Sequence, residues 1–142
     1  MVICLFGVYL FVCLIVCLNM YLYSFEKLEV WQLARKLVGI IYKITDKFPA
    51  DEKFGITNQL RRAAVSIASN IAEGSTRNSL KDQVRFIEIA YGSLMEVYTQ
   101  LCIAVDLSYS LEEEIQNVNL LIKELSNKLN ALSKSYKQQI IK

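Results

Sequence analysis

The residue types that carry chemistry are scarce in this chain. Histidine is absent, which removes the commonest general base and the commonest transition-metal ligand together. Of four cysteines, Cys4, Cys13 and Cys17 lie in an apolar leader and only Cys102 belongs to the polar remainder, so no disulfide framework is available within the domain. Cys102 reads as a small core hydrophobe. Asn70, Glu73 and Glu96 are the one polar set from which a catalytic site could be drawn. They come without a nucleophile and base in register, and no His-x-Glu, Cys-x-x-Cys or paired-acid metal spacing occurs. With Arg62 they read instead as a structural polar network, an Arg fork on a carboxylate fixing register within or between subunits. The expectation is a protein that is not an enzyme and holds neither metal nor cofactor.

The chemistry that remains is electrostatic. Arg61, Arg62, Arg77, Lys81 and Arg85 form the densest basic group. Bulk charge does not announce a polyanion binder, since 16 Lys and Arg oppose 14 Asp and Glu for a net charge of +2. Copied around a symmetric ring, however, a modest patch becomes a substantial field. For Arg61, Arg77, Lys81 and Arg85 two readings stand side by side: contact with nucleic-acid phosphates, and solvated surface. Tyr91 and Tyr98, one helical repeat apart, read as core aromatics with hydroxyls at the margin, not as base-stacking platforms.

Helices must position these side chains. Residues 1–24 carry no Lys, Arg, Asp or Glu, and Val2 to Tyr23 is apolar but for Asn19, long enough to cross about 30 Å of hydrocarbon. It lacks the basic n-region and the small-residue cleavage site of a secretory signal. One reading is an inner-membrane anchor, with Lys27, Arg35 and Lys36 keeping the following domain in the cytoplasm. The other starts translation at Met20 and makes the protein cytoplasmic, the expected location. The chain divides into this leader, 1–24, and one domain, 25–142.

From Glu26 to Phe48 the residues Val30, Ala34, Leu37, Ile41, Ile44 and Phe48 recur at three and four, which predicts an amphipathic helix ended by Pro49. Phe54 and Ile56 are expected to tuck back onto the core. A second helix should run from an N-cap at Thr57 to a stop at Gly74. Ser79-x-x-Asp82 has the capping-box form and opens a third. Its central seam is Val84, Ile87, Tyr91, Leu94, Tyr98, Leu101 and Val105, and Phe86, Ala90, Val97 and Ala104 widen the arc beyond the roughly 100° that one core requires. Ser110-x-x-Glu113 opens a fourth, whose narrow stripe (Ile115, Val118, Ile122, Leu125, Leu129, Leu132) places it outermost, with a tail fraying from Ser133. Four helices of about twenty residues on short turns make an all-α, antiparallel, up-down-up-down four-helix bundle. The second helix is unusually rich in small side chains (Ala63, Ala64, Ser66, Ala68, Ser69, Ala72), so neighbours can approach near the short end of the usual ~8 to 10 Å. Together with the wide third arc, this predicts a homo-oligomer with Ser66, Ser69, Phe86 and Val97 in the interface.

Several separated motifs then carry a resemblance. Phe25-Glu26-Lys27-Leu28-Glu29-Val30-Trp31, Phe48-Pro49, Gln59-Leu60-Arg61-Arg62-Ala63, Ser66-Ile67-x-Ser69-Asn70-Ile71-Ala72-Glu73-Gly74, Arg77 and Ala90-Tyr91-Gly92-Ser93-Leu94-x-Glu96 resemble the four-helix-bundle proteins encoded by intervening sequences in bacterial 23S rRNA genes. The likeness spans nearly all of 25–136. It implies a ring-like homopentamer with structured RNA as a partner, and it extends to the accessory variability determinant proteins of diversity-generating retroelements, which work with a reverse transcriptase. The leader departs from the family pattern, which favours the Met20 start over a membrane partner.

Overall fold

The three-and-four spacing of aliphatic residues becomes helix along most of the chain. The computed structural model describes residues 23–141. There the order is a 3-10 turn (Ser24–Lys27), α1 (Glu29–Thr45), a second 3-10 turn (Ala50–Lys53), α2 (Ile56–Ser75), α3 (Leu80–Asp106) and α4 (Glu112–Ile141), with no strand among the described residues. The leader and its membrane-anchor reading fall almost wholly outside them. Among those described, no helix is long and apolar enough to cross a membrane.

Within the described residues, α1 packs on α2 and α4, and α3 packs on the same two, with no close backbone approach across either diagonal. One core results, a four-helix bundle. Leu37 and Ile41 of α1, Leu60 and Ile67 of α2, Leu94 and Leu101 of α3, and Leu125 and Leu129 of α4 are fully buried in it. At about 1.5 to 3 kcal/mol for each such side chain removed from water, this burial is the main term holding the subunit together.

The most extensive packing is between α2 and α3, and small residues allow it. A Cβ on Gly74 would stand 2.7 Å from the Cβ of Phe86 on α3. The helix runs through Gly74 to Ser75, and no glycine has a positive φ among the described residues. Gly74 is therefore a point of close approach and not the helix stop its position suggests. The start of α2 also differs from expectation. Thr57 lies inside the helix with its hydroxyl buried and unpartnered; the N-cap is Gly55. The capping group is the Glu52 carboxylate, which accepts the Ile56 N–H at 3.1 Å and places negative charge at the positive end of the helix. Any side chain on Gly55 would run into that carboxylate.

The buried face of α3 is turned toward α2 relative to the hydropathy seam. Ala90, Val97 and Ala104 are fully buried, because the small surface of α2 fills the extra arc from within the subunit. Val97 is thus a core residue and not an oligomer contact. Tyr91 is half-buried, while Tyr98 and Cys102 stand away from the core, exposed and half-buried respectively. Phe54 is exposed, and Phe48 takes the inward position against Tyr109, ring centroids 5.8 Å apart. Ser79 holds the N-cap position of α3 without a side-chain cap bond. Ser110 bonds Glu114 at 3.1 Å. The tail does not fray: α4 stays helical to Ile141 because Leu132 and Tyr136 pack on the core, Ser133 is buried, and Lys137 reaches Glu88 at 2.7 Å.

Candidate nucleic-acid interface

The four basic candidates fall into two groups. Arg61, on the first turns of α2, meets the C-terminal end of α1. Its Nε donates to Thr45 Oγ1 at 2.8 Å and its Nη2 to Asp46 Oδ1 at 2.7 Å, while the guanidinium lies 4.6 Å from the centroid of the Tyr42 ring. Thr45 is held in turn by its own bond to the Ile41 carbonyl at 2.8 Å. Arg61 is therefore a clasp between two helices, its charge opposed by Asp46. Arg77, just past the end of α2 and roughly 24 Å further along at 1.5 Å per residue, pairs with Glu73 and lies 4.8 Å from the Phe86 ring centroid. It clamps the turn into α3. Lys81 and Arg85, in the opening turns of α3, are exposed and make no ion pair among the described residues. The structure brings Arg77, Lys81 and Arg85 together around the turn between α2 and α3 and leaves Arg61 apart.

The expected polar network is not joined within one subunit. Asn70 donates to the Ser66 carbonyl at 2.7 Å and to its hydroxyl at 3.0 Å, and Ser66 shares a 2.9 Å bond with Ser93 on α3. Glu73 is taken by Arg77, and Glu96 accepts from Gln100 at 3.0 Å. Arg62 is exposed without an ion pair among the described residues. It and Glu96 line one small cavity of about 240 Å³ with Gln59 and Ser66. The interface candidates divide as well. Ser66 faces Ser93 inside the subunit, Phe86 is half-buried beside Gly74 and Arg77, Val97 is core, and Ser69 alone is openly presented.

Sequence reasoning missed a feature between α1 and α2. Tyr42, Asn58, Arg61, Arg62, Val65 and Ser69 line a groove of about 600 Å³. Tyr42 belongs to no apolar stripe, so hydropathy gives it no role. The available signal was the basic outer side of the first helix, with Arg35 and Lys36 about two turns before that tyrosine and Lys43 next to it.

A family model described as 23S rRNA-intervening sequence protein matches residues 26–131. The chain belongs to the 23S rRNA-intervening sequence protein family. The matched span holds α1 to α3 and most of α4, with Arg61, Arg62, Arg77, Lys81 and Arg85. Among solved structures, this family member is similar to a protein of unknown function from the S23 ribosomal protein family of Bacteroides thetaiotaomicron VPI-5482. The TM-score is 0.69 at 22% identity, over 74% of this chain and 95% of that one, a likeness of fold. No curated protein matches the chain.

Proposed function

We propose that the protein is a non-enzymatic, cytoplasmic, homo-oligomeric RNA-binding protein, its partner a structured RNA or a ribonucleoprotein. Membership in a family described by 23S rRNA intervening sequences supports the choice of nucleic acid. The observation that carries it is the pair Lys81 and Arg85, exposed at one end of the α2–α3 hairpin with no carboxylate neutralising either among the described residues. The subunit is an up-down-up-down antiparallel bundle. That reading is supported by Lys47, past the end of α1, reaching Glu114 at the start of α4, while Glu29 at the start of α1 reaches Lys128 far along it. Subunits join in a ring, expected to be a pentamer, that repeats the cations around its axis.

Filter binding of a structured RNA across a salt series tests the reading. Affinity should fall steeply with salt, and the double variant Lys81→Ala, Arg85→Ala should flatten the logarithmic slope by roughly one for each lost phosphate contact. No binding at about 50 mM salt, or a flat salt dependence, overturns it. Assembly is tested by light scattering: the wild-type chain should be an oligomer at micromolar concentration, and a monomer there overturns the ring. A second reading, an adaptor for a retroelement reverse transcriptase, is favoured by the exposed apolar side chains Val65, Ile89 and Ile103 on α2 and α3. An adjacent reverse-transcriptase gene would support it over an rRNA operon insertion.

A further inference from the structure

The α1–α2 groove combines features that a bundle does not need. Tyr42 keeps 40% of its surface exposed, although an aromatic ring at a helix seam gains from burial. Arg61 lies over one face of the ring and is itself fixed by Thr45 and Asp46, so the ring is a rigid surface with a cation behind it. Two turns earlier on the same side of α1, Arg35 sits 5.4 Å from the Trp31 ring centroid. A second aromatic and cation pair thus lies roughly 16 Å along the helix from the first, eleven residues at 1.5 Å each.

The charge around this strip is one-sided. Lys36, Lys43 and Arg62 make no ion pair among the described residues, and Arg35 engages only the indole. Of the nearby carboxylates, Asp46 is engaged by Arg61 and Glu29 by Lys128 at 2.8 Å, while Glu96, which shares a small cavity with Arg62 beside the groove, accepts from Gln100. A groove of about 600 Å³ with Arg62 unpaired in its lining, no carboxylate in that lining, further cations along α1 and an exposed ring backed by a guanidinium suits a polyanion carrying flat rings. Base stacking on an aromatic face, with cations tracking the backbone, is how single strands are held without regard to sequence. A ring that must lie on a base requires that base to be unpaired.

We propose that the α1–α2 groove is a binding site for single-stranded RNA. One base stacks on Tyr42, and Arg62, Lys43, Lys36 and Arg35 take the flanking phosphates. This rests on the RNA reading above and assigns it a place distinct from the Lys81 and Arg85 end. Arg61 is a positioning residue: it preorganises the ring, and its charge is already spent on Asp46.

Fluorescence anisotropy with a labelled 12-nucleotide oligouridine, at about 50 mM salt and on the full chain, tests it. A blunt RNA duplex of equal length serves as the comparison probe. Tyr42→Ala should weaken oligouridine binding by about tenfold or more, the usual range for loss of one stacked base. Tyr42→Phe, which keeps the ring, should bind within about threefold of wild type, and duplex binding should be indifferent to both. Arg62→Glu, at a side chain with no ion-pair partner to lose, should also weaken oligouridine binding, and it decides the matter if Tyr42→Ala fails to fold. Unchanged binding in both variants, with loss only in Lys81→Ala, Arg85→Ala, overturns the groove and leaves the RNA reading standing. No binding of either probe by wild type overturns both. A changed oligomer mass with unchanged affinity per subunit assigns the groove to a second copy of the chain and also overturns the proposal.

Discussion

Where α2 meets α3, alanine, serine and glycine bring two backbones so close that Gly74 has no room for a methyl group beside Phe86. Where α4 meets α1 and α3, Ile115, Val118, Ile122, Leu125 and Leu129 fill the gap with long side chains. Ion pairs from Lys47 to Glu114, Glu29 to Lys128 and Glu88 to Lys137 tie the margin of that second seam. One seam gains stability from proximity, and the other from volume. The first should fail when anything is added, the second when anything is removed.

The largest effect is expected on the volume side. Leu125 is fully buried, and Leu125→Ala removes its transfer energy and leaves a cavity that the long neighbours close only in part, a loss of about 2 to 5 kcal/mol. Urea denaturation should show a lower midpoint at an unchanged slope. A loss below about 1 kcal/mol would mean that α4 collapses freely onto its neighbours, and the contrast between the seams would dissolve.

The next effect has the opposite cause. Glycine inside a helix ordinarily costs up to about 1 kcal/mol relative to alanine, so Gly74→Ala should stabilise if propensity ruled. Here the new methyl meets Phe86 Cβ, which is fixed to the α3 backbone and cannot swing aside. Overpacking of about 1 to 3 kcal/mol outweighs the propensity gain. The variant should melt lower than wild type. Gly39→Ala is the matched control, because nothing lies within 4 Å of a Cβ there. It should gain about 0.5 to 1 kcal/mol, and thermal melts of the two variants side by side should move in opposite directions.

These two glycines also show what the sequence could and could not display. Val30, Leu37, Leu60, Ile67, Leu94, Leu125 and the rest of the core were legible because a three-and-four spacing records which side of a helix is dry. The bundle followed from that. Gly74 read as a helix stop because a single sequence does not say which helix will lie against it. The same blindness displaced the buried face of α3 from Tyr91 and Tyr98 toward Ala90 and Val97: hydropathy weighs residues singly, while the neighbour's small surface decides which side is covered. Arg61 was visible as a charge, but Thr45 and Asp46, which fix it, lie a turn and a helix away. Tyr42 carries no such signal for the complementary reason, being an aromatic outside every stripe.

The smallest effect concerns the ion pairs at the edge of α4, where pH separates the two seams. The Glu114 carboxyl is held below its ordinary range, chiefly by the hydrogen bond from Lys47 and then by that from Ser110. A carboxyl whose pKa is lowered on folding stabilises the native state above its unfolded value, about 4.3, and loses that contribution as pH falls through the folded value. Glu114→Gln keeps the shape and removes the charge. The variant should therefore be somewhat less stable than wild type at pH 7, and the gap should narrow below about pH 4.3 and close once the wild-type carboxyl is protonated. Added salt should shrink the gap too, since Lys47 is 64% exposed and the pair is screened. Gly74→Ala acts through contact, with no titratable group at Gly74 or Phe86, and its cost should hold across the same pH series. If the gap for Glu114→Gln stayed constant from pH 7 to pH 3, the margin of α4 would be held by shape, as the α2–α3 seam is, and not by charge.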